Sequence, residues 1–261
     1  MDKMSKKPLI LVVNDDSIYA PGIRSLIKVM NDFGDVVVVA PKNPQSGMSH
    51  AISLNNPLIY DKVIIDNGPQ IEYSCNGTPS DCVKIAFNKI LTRKPDLCVS
   101  GINHGSNSSI NVIYSGTMAA ALEASISGVP SIGFSLLNYS SDAEFSLSEK
   151  VARIIVSNFF KNLLPKDICL NVNIPNILEN KFNGIKICRQ AKANWIEEFD
   201  ERKNPAGKIY YWLTGKFINN DDNNDTDEWA LTNNYASIVP VKYDLTDYNF
   251  ISKLEFLNNA K

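Results

Sequence analysis

Two adjacent carboxylates, Asp15 and Asp16, close the apolar run Leu9-Ile10-Leu11-Val12-Val13. Like charges side by side at a strand end repel unless a cation lies between them, and a hard divalent metal is the simplest such cation. Aspartate is equally at home in a solvated turn or at a helix N-cap, so the pair alone leaves both readings open. Two further oxygen donors stand at comparable places. Ser46 lies in Pro41-Lys42-Asn43-Pro44-Gln45-Ser46-Gly47, and Asn103 lies just past Leu97-Cys98-Val99-Ser100. Carboxylate, hydroxyl and amide oxygens suit magnesium or manganese; zinc and copper prefer imidazole and thiolate. With His50 and His104 the only histidines, no multi-histidine dinuclear centre can be assembled. Taken singly, Ser46 and Asn103 are also common turn residues. Ser115-Gly116-Thr117 opens an alanine-rich segment. A helix start of small residues offers unpaired amides and the positive end of the helix dipole to an anion, or uses its serine simply as a cap. A metal beside an anion pocket points to phosphoryl chemistry.

The elements that must position these residues alternate in the manner of βαβ units. An unbroken Ile/Leu/Val run reads as a strand buried on both faces, and ligands of open α/β sheets collect outside the carboxyl ends of such strands. Pro21-Gly22 opens a helix running to about residue 33, with Ile23, Leu26, Ile27 and Met30 on one face and Gly34 closing it. Strand two is Val36-Val37-Val38-Val39-Ala40, and residues 49–73 hold short alternating runs that suggest hairpins at a sheet edge. Thr78 caps a second helix with Pro79 at its first position. Leu97-Cys98-Val99-Ser100 is the next buried strand, and residues 106–115 form a polar loop. A helix from Gly116, a strand over residues 130–135, a helix over residues 146–164 and a strand over residues 168–172 follow. After about residue 175 the alternation decays. Strands are expected near Tyr210, Ile238 and Val241, an exposed polar linker over residues 219–225, and a terminal helix over residues 247–257. The fold expected is a Rossmann-like α/β three-layer sandwich with a mostly parallel sheet: one domain over residues 1–261, with a core at 1–175 and a β/α extension at 176–261.

Composition narrows the class. A chain of 261 residues with formal net charge −2 and 44% hydrophobic residues can bury a full core, and it has no basic footprint for a DNA or RNA partner. The basic start, Met1-Asp2-Lys3-Met4-Ser5-Lys6-Lys7-Pro8, is followed by an apolar stretch that the aspartates cut short, so neither a secretory signal nor a membrane span is expected. Five cysteines without C-x-x-C spacing support neither a disulfide framework nor a zinc site. A reducing, cytoplasmic setting is expected.

The order of short motifs resembles the SurE (survival protein E) nucleotidases. It is carried by Asn14-Asp15-Asp16 with Ala20-Pro21-Gly22-Ile23, Ala40-Pro41 through Gln45-Ser46-Gly47, and Asn76-Gly77-Thr78-Pro79-Ser80-Asp81. Ser100-Gly101-Ile102-Asn103-His104-Gly105-Ser106-Asn107 and Ser115-Gly116-Thr117-Met118-Ala119-Ala120 continue it. Asn171-Val172-Asn173-Ile174-Pro175, Thr226-Asp227 and Tyr235-Ala236-Ser237-Ile238 extend it over nearly the whole chain. The resemblance implies a metal-dependent phosphatase of nucleoside 5′-monophosphates, and often of 3′-monophosphates. It implies one divalent cation per subunit, magnesium or manganese, on Asp15, Asp16, Ser46 and Asn103, the positions that donor chemistry also singles out. Asp15, Asp16 and Asn103 would be catalytic, with Asn14, Gly47, Ser115, Gly116 and Thr117 around the phosphate. It further implies a homodimer or homotetramer that exchanges C-terminal elements. Three residues depart from the family pattern: Ser17 stands where glycine usually follows the Asp pair, Asn234 where glycine precedes the late-strand tyrosine, and Val239 where threonine precedes the proline of that strand, the last with no evident catalytic consequence. Asparagine tolerates a left-handed backbone well; serine does so less. In the expected mechanism the metal spreads the developing charge and activates a water. Two alternatives remain: an aspartyl-phosphate enzyme, disfavoured by the lack of an Asp-x-Asp motif, and a catalytically silent nucleotide-binding regulator, disfavoured by the lack of a G-x-G-x-x-G turn after strand one.

Overall fold

Strand β1 (Leu9–Val13) sends its side chains alternately into two cores. Ile10 and Val12 join one core, Leu11 and Val13 the other, so a strand covered on both faces has no polar position to spare. The structure, a computed structural model, describes residues 7–162 and 165–258. After β1 come α1 (Pro21–Met30), β2 (Asp35–Pro41), β3 (Tyr60–Val63), β4 (Ile71–Cys75), α2 (Pro79–Ile85) and β5 (Leu97–His104). Next are α3 (Asn111–Tyr114), α4 (Gly116–Ile126), β6 (Ser131–Leu136), α5 (Ser146–Lys161) and β7 (Cys169–Ile174). The remainder is β8 (Gly184–Ile187), β9 (Ala193–Lys203), β10 (Ile209–Asn219), α6 (Asp227–Thr232), β11 (Tyr235–Val241) and α7 (Tyr248–Ile251).

Nine strands form one sheet in the order β3-β4-β2-β1-β5-β6-β7-β11-β8. From β4 to β7 all neighbours are parallel; β3 runs antiparallel to β4 and β11 antiparallel to β7. Helices α1 and α5 cover one face through Ile23, Leu26, Ile27, Leu147 and Val151, and α2 and α4 cover the other through Cys82, Val83, Ala120 and Ala124. This is a three-layer α/β fold. Successive strands build outward from β1 to β2 and β4, then start again on the other side with β5, β6 and β7. The connections at the carboxyl ends of β1 and β5 therefore leave in opposite directions and open a crevice between them, where ligands of such sheets bind.

Local signals account for most helix starts. Thr78 accepts from the Asp81 amide at 3.2 Å while the Asp81 carboxylate accepts from the Thr78 amide at 3.0 Å, a capping box with Pro79 just inside it. Gly22 in α1 lets the helix approach β5: a Cβ there would sit 2.0 Å from the Ile102 carbonyl oxygen.

Several boundaries differ from those expected. Helix α1 stops at Met30 and residues 31–34 form the turn, because Asn31 and Asp32 break the apolar stripe. The helix expected over residues 146–164 ends at Lys161, and its last two expected positions lie outside the described residues, as do residues 1–6. Strand β5 continues to His104 through a bulge between Ser100 and Asn103, which the polar residues disguised as loop. The loop 106–115 holds the short helix α3, and Ile238 and Val241 share the single strand β11. The stretch 219–225 is not wholly exposed: Asp221 is buried by a two-pronged ion pair with Arg189, at 2.6 and 3.0 Å. Past residue 175 the sheet continues, since β11 pairs with β7 and β8 with β11. Among the described residues only the β9–β10 ribbon forms a separate, two-stranded sheet. Among the described residues no helix is long and apolar enough to cross a membrane.

Candidate active site

Asp15 and Asp16 follow β1 directly and Asn103 lies in the last turn-ward residues of β5, so the two sides of the crevice bring them to one place. Three backbone links fix the surrounding loops. The Gln45 amide donates to the Asp15 carbonyl at 2.7 Å, which holds the segment carrying Ser46 beside Asp15. The Ile18 amide donates to the Pro41 carbonyl at 2.9 Å. Ser49 donates through its amide to the Tyr114 carbonyl at 3.1 Å and through its hydroxyl to the Ile113 carbonyl at 2.7 Å, joining the loop after β2 to the end of α3, just ahead of α4.

Asp15 is only 4% exposed. Burial, with Asp16 next to it, pushes its carboxyl up to about 7, even though the Thr117 hydroxyl and amide hydrogen-bond to it. Asp16 is half-buried and also raised, chiefly by burial; its Oδ2 accepts from the His104 amide at 3.0 Å. Neither carboxylate forms a salt bridge with a described residue. Two acids brought together without a counter-cation are an unstable arrangement on their own, and a divalent cation resolves it. No three His, Cys, Asp or Glu side chains converge on a metal site among the described residues, so any ligand set here must include neutral oxygens. Asn103 is arranged to offer one. Its amide nitrogen donates to the Gly105 carbonyl at 2.9 Å and the His104 carbonyl at 3.3 Å, which leaves Oδ1 as the free end. The bulge in β5 sets that orientation. Ser46 is exposed, with its hydroxyl available.

The residues expected around phosphate divide by what their polar atoms already do. Ser115 caps α4, its hydroxyl oxygen accepting from the Met118 amide at 3.0 Å. Gly116 brings the helix end against Asp15, where a Cβ would lie 2.8 Å from the Asp15 Cβ. Thr117 is fully buried and its hydroxyl donates to Asp15, so it orients that carboxylate and has no hydroxyl left for phosphate. Asn14 likewise spends its amide nitrogen, 2.7 Å from the Ser17 carbonyl, on closing the turn; its Oδ1 is buried without a partner. Gly47 is exposed with φ +71°, and no atom would obstruct a Cβ there, so its glycine character serves the backbone angle and leaves its amide open to solvent.

Sequence reasoning missed the polar layer that holds the loop after Asn103. Asn171 and Asn173, two apart on β7 and so on one face, grip Asn107: the Asn107 amide donates to Asn173 Oδ1 at 2.8 Å, and Asn171 Nδ2 donates to the Asn107 carbonyl at 2.8 Å. The Asn107 side chain in turn reaches the Ser135 hydroxyl at 2.8 Å. Asp227, fully buried at the start of α6, accepts from the amides of Ser109, Ala191 and Glu228 at 2.8, 2.9 and 2.9 Å. A pair of asparagines on an otherwise apolar buried strand was the available signal.

Comparison with known proteins points to one family. The family model described as "Survival protein SurE" matches residues 10–197. The chain is 61% identical over 250 residues to the 5′-nucleotidase SurE of Christiangramia forsetii, covering 95% of this chain and 96% of that protein. It is 45% identical over 251 residues to the 5′-nucleotidase SurE of Bacteroides thetaiotaomicron, with 96% of each covered. The crystal structure of the SurE protein from Aquifex aeolicus superposes with a TM-score of 0.83 at 37% identity, covering 97% of this chain and all of that one.

Proposed function

The chain belongs to the SurE family, and from that membership we propose that it is a metal-dependent 5′-nucleotidase, which hydrolyses nucleoside 5′-monophosphates to nucleoside and phosphate. The observation that carries the reading is the buried Asp15 beside Asp16, pressed against the N-terminus of α4, with no salt bridge from either carboxylate to a described residue. Asp15, Asp16, the Asn103 Oδ1 and the Ser46 hydroxyl would hold one divalent cation per subunit, magnesium or manganese by the hardness of the donors. Bound there, such an ion supplies charge neutralisation for the phosphate and a Lewis acid for the attacking water.

The protein's own groups do the rest. Thr117 fixes the Asp15 carboxylate in one rotamer, and the His104 amide does the same for Asp16. The α4 dipole and the exposed amide of Gly47 favour a phosphate dianion, which the two aspartates alone would repel. Attack by water at phosphorus breaks the ester P–O bond and releases the nucleoside alcohol. Burial of Asp15 and its hold by Thr117 speak against its acting as a phosphoryl acceptor.

The decisive experiment is phosphate release from a panel of 5′- and 3′-nucleotides, before and after exhaustive EDTA treatment, with manganese or magnesium restored. Activity should vanish with the chelator and return with the metal. Full turnover in EDTA would overturn the reading, and a trapped phosphoenzyme would replace it with the aspartyl-phosphate route.

A second copy of the chain is the partner that the exposed apolar surface favours. The ribbon leaves Phe199, Trp212 and Leu213 mostly in solvent, and residues 242–257 do the same with Leu245, Tyr248 and Phe256. Surfaces of that kind are covered in an assembly.

A further inference from the structure

We propose that the ring of Tyr139 is the platform on which the base of a nucleoside monophosphate stacks, an inference that rests on the nucleotidase reading above. Tyr139 lies in the loop after β6 and is 75% exposed. One side of its ring nonetheless covers Gly105: a Cβ at Gly105 would fall 2.2 Å from one ring carbon and 2.7 Å from another. Gly105 has φ +104°, and its carbonyl accepts from the Asn103 amide nitrogen. The ring therefore sits over backbone only two residues beyond Asn103, a reach of about 7 Å at full chain extension. A ribose bridges a gap of that order between a phosphate held at the aspartates and a base.

The loop that carries the ring is fixed from several directions. The Gly105 amide donates to the Leu136 carbonyl at 2.8 Å, and the Leu137 amide to the Ile174 carbonyl at 2.9 Å. Asn138 Oδ1 accepts from the Ser140 amide at 2.9 Å in an Asx turn, and the His104 ring nitrogen Nδ1 meets the Ser140 carbonyl at 3.1 Å. An exposed aromatic ring whose backbone is tied on both flanks, over a glycine two residues from Asn103, has little ordering entropy to lose when a flat ligand stacks on it. Two other exposed tyrosines lie close to the site residues in sequence, Tyr19 ahead of α1 and Tyr114 at the end of α3. Neither covers a glycine of the site.

The test compares AMP with ribose 5-phosphate, which has the sugar ester and no base, in the full-length manganese-loaded protein. Tyr139→Ala should lower kcat/KM for AMP by about tenfold or more, the scale of one lost base–aromatic stack, with the loss falling on KM. The loss on ribose 5-phosphate should be about tenfold smaller, and Tyr139→Phe, which keeps the ring, should restore AMP. Equal losses on the two esters, no loss in Tyr139→Ala, or an AMP-selective loss confined to Tyr19→Ala or Tyr114→Ala would overturn the platform while leaving the nucleotidase reading intact. If the wild-type protein hydrolysed neither ester, the nucleotidase reading would fall and the platform with it.

Discussion

The carboxyl edge of the sheet and the β9–β10 ribbon break the rule of apolar inside and polar outside in opposite senses. The edge buries polar groups: Asp15, Asn103, Thr117 and Asp227 are all enclosed. The ribbon exposes apolar ones: Phe199, Tyr211, Trp212 and Leu213 lie mostly in water. Scattered exposed leucines mean little, whereas a buried unpaired carboxylate or a run of exposed aromatics marks a place where the chain alone is incomplete. In our reading the edge is completed by a cation and a phosphate, and the ribbon by a second copy. On that reading each region would give up some stability of the isolated subunit for what it binds.

If the edge is built for binding, removing its charge should hurt activity and not the fold. Asp15→Asn keeps the shape, removes the buried one of two repelling carboxylates, and should raise or hold the melting temperature while turnover falls roughly a hundredfold or more. A variant that lost stability and kept its turnover would mark Asp15 as a structural residue and erase the contrast. Asn103→Ala should follow with a comparable loss of turnover, since it deletes the free Oδ1. Asn103→Asp keeps an oxygen but loses the donors to the Gly105 and His104 carbonyls and sets a charge against them, so it should cost about 1–3 kcal/mol besides activity. Thermal melts and phosphate release on the same preparations separate the two effects.

The two regions were also unequally legible. Around the edge, local patterns sufficed: the Leu9–Val13 run, Pro21 at a helix start, Thr78 and Asp81 in a capping box, and Ser115 before small residues all mark their elements within a few positions. What could not be read was who holds whom across the fold. Thr117 and Asp15 are 102 residues apart, and Asp227 and Ser109 are 118 apart, so neither contact leaves a local trace. The bulge that turns Asn103 also disguised the end of β5, because Gly101, Asn103 and His104 look like loop. The ribbon was harder still. Trp195-Ile196-Glu197-Glu198-Phe199-Asp200 mixes apolar and acidic residues on both faces, and with no core against one face there is no alternation to detect. Helix α6 is six residues long, too short for a helical period to register. Asp221 reads as linker in the sequence because the arginine that buries it lies 32 residues upstream.

Shortening the ribbon is the converse of mutating the edge. Strands β9 and β10 pair in register from Ala193↔Asn219 to Lys203↔Ile209, so residues 197–215 can be removed and the stubs joined through a two-residue Asn-Gly turn. Ala191 and Ala193, which bond the Ser109 hydroxyl, stay in place. The shortened chain should change its oligomeric state in sedimentation while each subunit keeps a folded sheet. An unchanged assembly would show that the ribbon's aromatics are not what a second copy covers.

The smallest expected effect lies at Ser17, where the edge carries backbone strain. Ser17 has φ +95°, in the region that favours glycine, and glycine is the residue that the SurE pattern has at this point. A non-glycine residue held there costs about 1–3 kcal/mol. Its hydroxyl recovers little, lying 3.4 Å from the Tyr19 amide, while its carbonyl would accept from Asn14 whatever the side chain. Ser17→Gly relieves the strain but gives the unfolded chain more freedom, worth about 0.4–1 kcal/mol in the other direction. The net expectation is a gain of about 1 kcal/mol, or about 2–4 °C in melting temperature for a chain of this size. Ser17→Ala separates the two contributions, since it keeps the strain and drops the hydroxyl. If Ser17→Gly lowered the melting temperature, and Ser17→Ala did so by the same amount, the hydroxyl would be what the turn depends on. The strain would then be an incidental feature of this edge and no part of the stability it gives up for binding.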